Sequence, residues 1–502
     1  MKEPMRLYVP NPLVEENVYR SMPPEEDTAV PSFEEARPLL PHPFWLDHET
    51  AIACYWRSWE IAFSHLLPPT PANGFVSPYL DTAFNGHLFM WDSAFAMQFG
   101  LYGSRAFHFQ GTLDNFYCKQ HPDGFICREI DEEDGADVFE RHDPSSTGPN
   151  VLPWAEWSYY TRFGDRQRLA RVFPALLAYT QWFRTYRTWL DGTYWSSGWG
   201  CGMDNIPRME PGAGFDPAFS HGRMRWIDTT LQAIQADDIL CRAARVLGRA
   251  SGVNGLCQEA AVLRERVNAA MWDEKSAFYY DQYADGRLNK VRHIGAYWAL
   301  LAEAVPPERL DRFIAHLDDP AEFNRPHRIP ALAHSHPDYD PHGGYWRGGV
   351  WAPTNYMVLK GLRASGYGSL AHLIARNHLN NVVRVFEDTD TLWENYAPES
   401  ANPGDPAKPD FVGWTGLPAI AVLFEEVFGL QPDVPAHTLV WDVRLLDEHG
   451  VKSYPFGAKG TLDLKCYARD SVLEKPTIEI RSNVPVKLKV IWAGGTGEVE
   501  IT

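Results

Sequence analysis

The stretch Gln167-Arg168-Leu169-Ala170-Arg171-Val172-Phe173-Pro174-Ala175-Leu176-Leu177-Ala178-Tyr179-Thr180-Gln181-Trp182-Phe183 decides the fold class. Leu169, Val172, Leu176, Tyr179 and Phe183 recur at alternating three- and four-residue steps, the rhythm of a helix that buries one stripe. Residues 252–272 repeat it with Leu256, Ala260, Leu263, Val267 and Ala270. Outward from these two, the pattern predicts helices near 48–66, 91–102, 104–118, 150–164, 226–248, 290–304, 306–317, 350–365, 368–386 and 411–428. Twelve helices in series, with no strand of comparable weight between them, imply an all-α body over residues 46–432. Paired as successive hairpins they give six, the number that closes an (α/α)6 toroid. In such a ring the loops at one end converge, and the longest lie near 67–90, 119–149, 191–225, 318–349 and 387–410.

The flanks read differently. Residues 1–45, rich in Pro and acidic side chains as in Met22-Pro23-Pro24-Glu25-Glu26-Asp27, are expected to wrap the body as an extended arm. After Pro432, segments such as 438–445, 460–466, 477–481 and 486–491 alternate apolar and polar residues, the signature of half-buried strands. They predict a small β-sandwich-like C-terminal domain over 433–502, read as a structural cap.

Composition narrows the class of function. The 502 residues carry 46 Lys and Arg against 65 Asp and Glu, a net charge of −19 with no basic run, which argues against nucleic acid and anionic membranes as partners. The N-terminus lacks an apolar export signal, and no apolar run reaches membrane-spanning length. Seven scattered cysteines without C-x-x-C spacing fit free thiols in a reducing cytoplasm better than a disulfide framework or a zinc site. The 19 Trp, 22 Tyr and 26 Phe hint at a sugar-binding cleft, whose aromatic faces match the C–H faces of pyranoses, although cores consume aromatics as well. Oligomeric state is left open.

Motifs for metal hydrolysis, serine esterases, nucleotide phosphates and dinucleotides are missing, so no cofactor or metal is expected. The acidic run Asp131-Glu132-Glu133-Asp134 reads as a solvated face before it reads as a calcium site. The long loops offer instead carboxylates beside aromatic rings. Gly198-Trp199-Gly200-Cys201-Gly202-Met203-Asp204-Asn205-Ile206-Pro207-Arg208 is poor helix material that holds Asp204 on an irregular loop, as a site or as an Asx turn. Glu394 lies in Trp393-Glu394-Asn395-Tyr396, and Asp92 in Phe89-Met90-Trp91-Asp92-Ser93, where it serves as helix N-cap, hydroxyl acceptor or both. Glycosidic cleavage needs such a pair: one protonated carboxyl to protonate the departing oxygen, one ionised carboxylate to attack or to activate water.

Taken in order, the blocks Met90–Phe95, Gly198–Arg208, Gly343–Trp351, Trp393–Tyr396 and Gly413–Gly416 resemble those of glycoside hydrolase family 63 and its trehalase relatives of family 37. The resemblance spans about residues 80–428. It implies an inverting α-glycosidase on an (α/α)6 barrel, with Asp204 as general acid and Glu394 as general base. It also implies sugar contacts at Trp91, Asp92, Asn205, Arg208, Trp346 and Arg347, walls at Trp351, Trp393 and Trp414, and a further pocket block at Gly148–Trp154 that includes Trp154. Inversion sets an expected carboxyl separation of roughly 6.5–9.5 Å. Pro398–Asp410 replaces the glycine-rich run of trehalases, which argues against trehalose. The missing N-terminal β-domain of many family 63 enzymes argues against a glycoprotein glycan. The expected activity is that of a cytoplasmic α-glucosidase acting on a small glucoside or oligosaccharide. The alternatives are an α-mannosidase-type hydrolase of a solute such as mannosylglycerate, a sugar epimerase using loop histidines (His121, His142, His221, His334, His336, His342), and a non-catalytic sugar-binding protein.

Overall fold

The computed structural model describes residues 8–23, 29–209 and 216–501. The twelve expected helices are present among them. The first six are α1 (Glu49–Ser64), α2 (Met90–Gly100), α3 (Gly111–Cys118), α4 (Leu152–Phe163), α5 (Arg166–Tyr186) and α6 (Ile227–Leu247). The next six are α7 (Asn254–Ala270), α8 (Trp298–Leu301, continuing the 3-10 turn Ile294–Tyr297), α9 (Pro307–Ile314), α10 (Ala352–Ala364), α11 (Gly368–Thr389) and α12 (Leu417–Val427, wound as a π-helix). Local chemistry sets the breaks. Gly164 at φ 68° ends α4 in the left-handed conformation, and the Asp165 side chain caps α5 by accepting the Arg168 N–H at 2.9 Å. The helix expected from 104 starts only at 111, because the chain folds back so that the Phe109 ring fills the space a Cβ would need at Gly100 and Gly103.

Burial separates two layers. Every residue of α2 and of α12 is buried, whereas α7 buries only Leu256, Ala260, Leu263 and Val267, the first four residues of the stripe read from the sequence. The even-numbered helices contact one another in succession, α2 with α4, α4 with α6, α6 with α8, α8 with α10 and α10 with α12, and α12 contacts α2. The odd-numbered helices α3, α5, α7 and α11 pack outside them, each against an even-numbered neighbour in sequence.

Of two buried charge networks, one ties the layers and the other joins inner helices. Arg168 on α5 donates to both Glu156 oxygens on α4 (2.8 and 2.9 Å) and to Asp114 on α3 (2.9 Å). Glu425 on α12 accepts from Tyr102 (2.8 Å) and, on α10, from Tyr356 (2.9 Å) and Lys360 (2.9 Å).

The C-terminal strands form two four-stranded sheets. Taking β1 as His42–Trp45, β2 Leu430–Asp433, β3 Thr438–Asp442, β4 His449–Phe456, β5 Gly460–Cys466, β6 Ile478–Ser482, β7 Val486–Trp492 and β8 Gly495–Ile501, the sheet orders are β1-β4-β5-β6 and β2-β3-β7-β8. All neighbours are antiparallel except β3 and β7. The N-terminal segment is more structured than an extended arm. It carries 3-10 turns at Pro12–Glu16 and Val18–Ser21, and β1 is an edge of the C-terminal sheet. Pro24–Asp27 lies outside the described residues.

Free thiols were expected throughout, but Cys241 on α6 and Cys257 on α7 form a disulfide, their Cα atoms 6.1 Å apart. Sixteen residues separate them in sequence, yet the α6–α7 hairpin brings them together. This removes the ground on which a reducing compartment was read. No described helix is long and apolar enough to cross a membrane.

The Arg168 network predicts a test. Arg168→Met leaves Glu156 and Asp114 buried without their cation and is expected to cost about 3–5 kcal/mol, read as an earlier denaturation midpoint. Arg57→Ala, which removes a surface pair with Glu60 (2.9 Å), should cost about 1 kcal/mol or less. Equal losses would show that the buried cluster does not tie the layers.

Candidate active site

A cavity of about 240 Å³ brings together loops that the sequence scatters over more than 300 residues. Its wall includes Asp204 and Glu394, with Trp91, Asp92, Trp346 and Trp414. A two-stranded hairpin builds one side. His87–Phe89 pairs with Glu129–Asp131, and the Met90 N–H donates to the Arg128 carbonyl at 2.8 Å, so Trp91 and Asp92 at the start of α2 stand beside Arg128. Asp92 is the third residue of α2, whose N-cap position is Phe89, so the N-cap reading of Asp92 does not hold. Gly202 sits against the Trp91 indole, which a Cβ would approach to 3.1 Å.

Asn205 fixes the acid loop against the opposite wall. Its Oδ1 accepts the Trp346 N–H at 2.8 Å and its Nδ2 donates to the Gly344 carbonyl at 3.0 Å. Between those two residues stands Tyr345, whose hydroxyl donates to Glu394 Oε1 at 3.0 Å; the Lys408 N–H donates to the other oxygen at 3.3 Å. A short chain of backbone and hydrogen bonds therefore runs from Asp204 to Glu394, and it holds one carboxyl relative to the other.

The two carboxyls differ electrostatically. Burial pushes Asp204 up to about 6; Arg128 opposes this, and the negative charges of Glu394 and Glu129 reinforce it. Burial also raises Glu394 above the usual carboxylate range, offset by the bonds from Tyr345 and Lys408. Asp92 is pushed well up, first by burial and then by the charge of Glu394. Both groups are therefore displaced toward the protonated form, and at Glu394 the bonds from Tyr345 and Lys408 oppose this, an arrangement of two carboxyls that acid–base cleavage can use.

Six residues expected at the substrate lie elsewhere. Arg208 is buried with a bidentate hold on Asp228 and a 4.3 Å stack on Trp226, and it anchors the end of the acid loop to α6. Asn205 spends its amide on the backbone. Trp351 is fully buried, stacked on Trp346 at 4.0 Å and 2°, so it supports the wall instead of forming it. Trp154 packs among Phe95, Trp298 and Tyr356 in the core. Trp393 donates its indole N–H to Thr389, and Arg347 is exposed; neither lines the cavity. Sequence reasoning missed Arg128, Tyr345, Trp199, Phe89, Asn85, Phe411 and Lys408 as lining residues. Only three-residue strands place Arg128, which no periodicity reveals. None of the six loop histidines lines the cavity, which takes away the groups an epimerase would use. Among the described residues no cluster of three or more His, Cys, Asp or Glu could hold a metal, and Asp131 accepts the N–H groups of Glu133 and Asp134 in its own turn.

The model of the mannosylglycerate hydrolase MGH1-like glycoside hydrolase domain matches residues 86–415. Mannosylglycerate hydrolase of Thermus thermophilus is 25% identical over 56% of this chain and 83% of its own. The probable mannosyl-oligosaccharide glucosidase of Schizosaccharomyces pombe is 24% identical over 50% of this chain, which spans only 34% of that protein. The crystal structure of a GH63 mannosylglycerate hydrolase from Thermus thermophilus in complex with glucose superposes with a TM-score of 0.60 at 19% identity, covering 73% of this chain and 99% of the other.

The Tyr345 bond predicts a pH effect. It stabilises the ionised form of Glu394, so Tyr345→Phe raises that pKa and moves the acidic limb of the kcat/KM profile up by about one pH unit. The alkaline limb, where Asp204 loses its proton, should stay near pH 6. An unmoved acidic limb would show that Tyr345 does not tune Glu394.

Proposed function

Because the chain belongs to the mannosylglycerate hydrolase MGH1-like glycoside hydrolase family, we propose that it is an inverting α-glycoside hydrolase in which Asp204 is the general acid and Glu394 the general base. The observation that carries this reading is the pair itself: two carboxyls on one small cavity, Asp204 pushed up to about 6 by burial, Glu394 accepting two hydrogen bonds that favour its ionised form. In the reaction, Asp204 protonates the departing glycosidic oxygen. Glu394 takes a proton from the water that attacks the anomeric carbon from the opposite face. Tyr345 and the Lys408 N–H keep Glu394 oriented, and Asp92 contacts sugar hydroxyls.

The reading includes the architecture. The succession of even-numbered helices, closed by α12 on α2, is an (α/α)6 toroid with its catalytic body over residues 46–432, and the sheets beyond it form a cap. The cavity volume suits one pyranose ring and so favours removal of a terminal sugar. We propose an α-glucoside of a small glucoside or oligosaccharide as substrate. A second reading, an α-mannoside of an acid such as mannosylglycerate, is favoured by one observation: Arg128 and Lys408 place cations on the cavity wall.

Proton NMR of the anomer released from kojibiose, nigerose, trehalose and mannosylglycerate tests both. The expected outcome is the β-anomer as first product from one of them, with kcat reduced at least about 10³-fold in Asp204→Asn. First release of the transferred sugar as the α-anomer would overturn inversion; trehalose is read by equal β and α release, because its aglycone glucose departs as the α-anomer.

A further inference from the structure

A general acid must face the leaving group, because it protonates the oxygen that departs. Whatever stands beside Asp204 on the open side of the cavity is therefore what the aglycone meets. Trp199 lies on the wall of the same cavity as Asp204, five residues before it on the same loop. It lines the cavity, yet its side chain is 37% exposed, whereas Trp298, Trp346 and Trp351 are almost fully covered. A tryptophan serving only the core would be covered like those three.

The ring is also held in place. The Trp199 N–H donates to the Ala218 carbonyl (3.2 Å) and the Gly198 N–H to the Pro217 carbonyl (3.0 Å). Phe219 meets the indole at 4.7 Å and 58°, Phe139 edge-on at 6.1 Å and 79°. The Arg128 guanidinium stacks on Phe139 at 4.5 Å, and its Nε is spent on the Ser145 carbonyl (2.8 Å). The Arg128 guanidinium also lies over the Trp199 ring at 6.0 Å, and the result is a fixed, half-exposed indole on the wall of a polar cavity, oriented by its neighbours.

We propose that Trp199 is the stacking floor of a +1 subsite that receives a second pyranose ring, so that the aglycone of the preferred substrate is itself a sugar. The inference rests on the hydrolase reading above. The C–H face of a pyranose is apolar and flat enough to cover an indole, whereas a short acyclic acid would leave most of that face in water.

The test compares two substrates that share the transferred sugar: the disaccharide the wild type cleaves best, and the corresponding α-glycosyl fluoride, which has no aglycone ring. For Trp199→Ala the loss of kcat/KM on the disaccharide should be about 10–100-fold and should exceed the loss on the fluoride at least about tenfold, with Trp199→Phe recovering most of it. Equal losses on both substrates, an unaffected disaccharide, or a wild-type preference for mannosylglycerate over every disaccharide would overturn the subsite. Calorimetry on Asp204→Asn, with and without Trp199→Ala, separates the two readings. Disaccharide binding that depends on Trp199, with no hydrolysis of any glycoside by the wild type, would sink the hydrolase and keep the subsite, and binding indifferent to Trp199 would sink the subsite whatever the catalysis.

Discussion

The return of α12 onto α2 is the constraint on which the molecule depends. It carries the chain's last helix to the first helix of the inner set, and only then do loops from 83–92, 128, 199–204, 345–346 and 394–414 meet around one cavity. The contact is apolar over the whole of α12 except for Glu425 and Glu426, both buried. Burying Glu425 is tolerable because Tyr102, Tyr356 and Lys360 meet its carboxylate, and Arg162 lies 3.4 Å away. Arg162 also reaches Tyr454 on β4, so the same cluster joins the helices to the C-terminal sheets.

On that frame Asp204 and Glu394 are held by short-range devices. Asn205 binds the backbone of the facing segment, Tyr345 in that segment binds Glu394, and Arg208 fastens the far end of the acid loop to Asp228. None of these three contacts is with substrate; their task is to hold the two carboxyls while a sugar enters and leaves. Both carboxyls are raised by burial; Glu394 accepts a hydroxyl and a backbone N–H that favour its ionised form, and a backbone hydrogen bond acts in the same direction on Asp204.

Much of this was legible in the sequence because helices of this size announce themselves. Of the stripe read as Leu256, Ala260, Leu263, Val267 and Ala270, the first four are the buried face of α7 and Ala270 is half-buried. Asp204 and Glu394 stood out as carboxylates on aromatic loops, and the structure puts both on one cavity. The parts that escaped depend on pairings too short to carry a period. The His87–Phe89 ribbon that positions Arg128 is three residues long, and β1 joins a sheet more than 400 residues away in sequence. Side-chain type misled where a polar group served the scaffold: Arg208 and Asn205 look like ligands in sequence, and their partners are an aspartate and two backbone groups of this chain.

The most direct test of the central claim is azide rescue on an α-glycosyl fluoride. If Glu394 is the base of an inverting hydrolase, Glu394→Gly is nearly inactive in water, and added azide restores turnover with a β-glycosyl azide as product, because the small anion occupies the place of the activated water. An α-glycosyl azide, or rescue of Asp204→Gly in place of Glu394→Gly, would contradict the account.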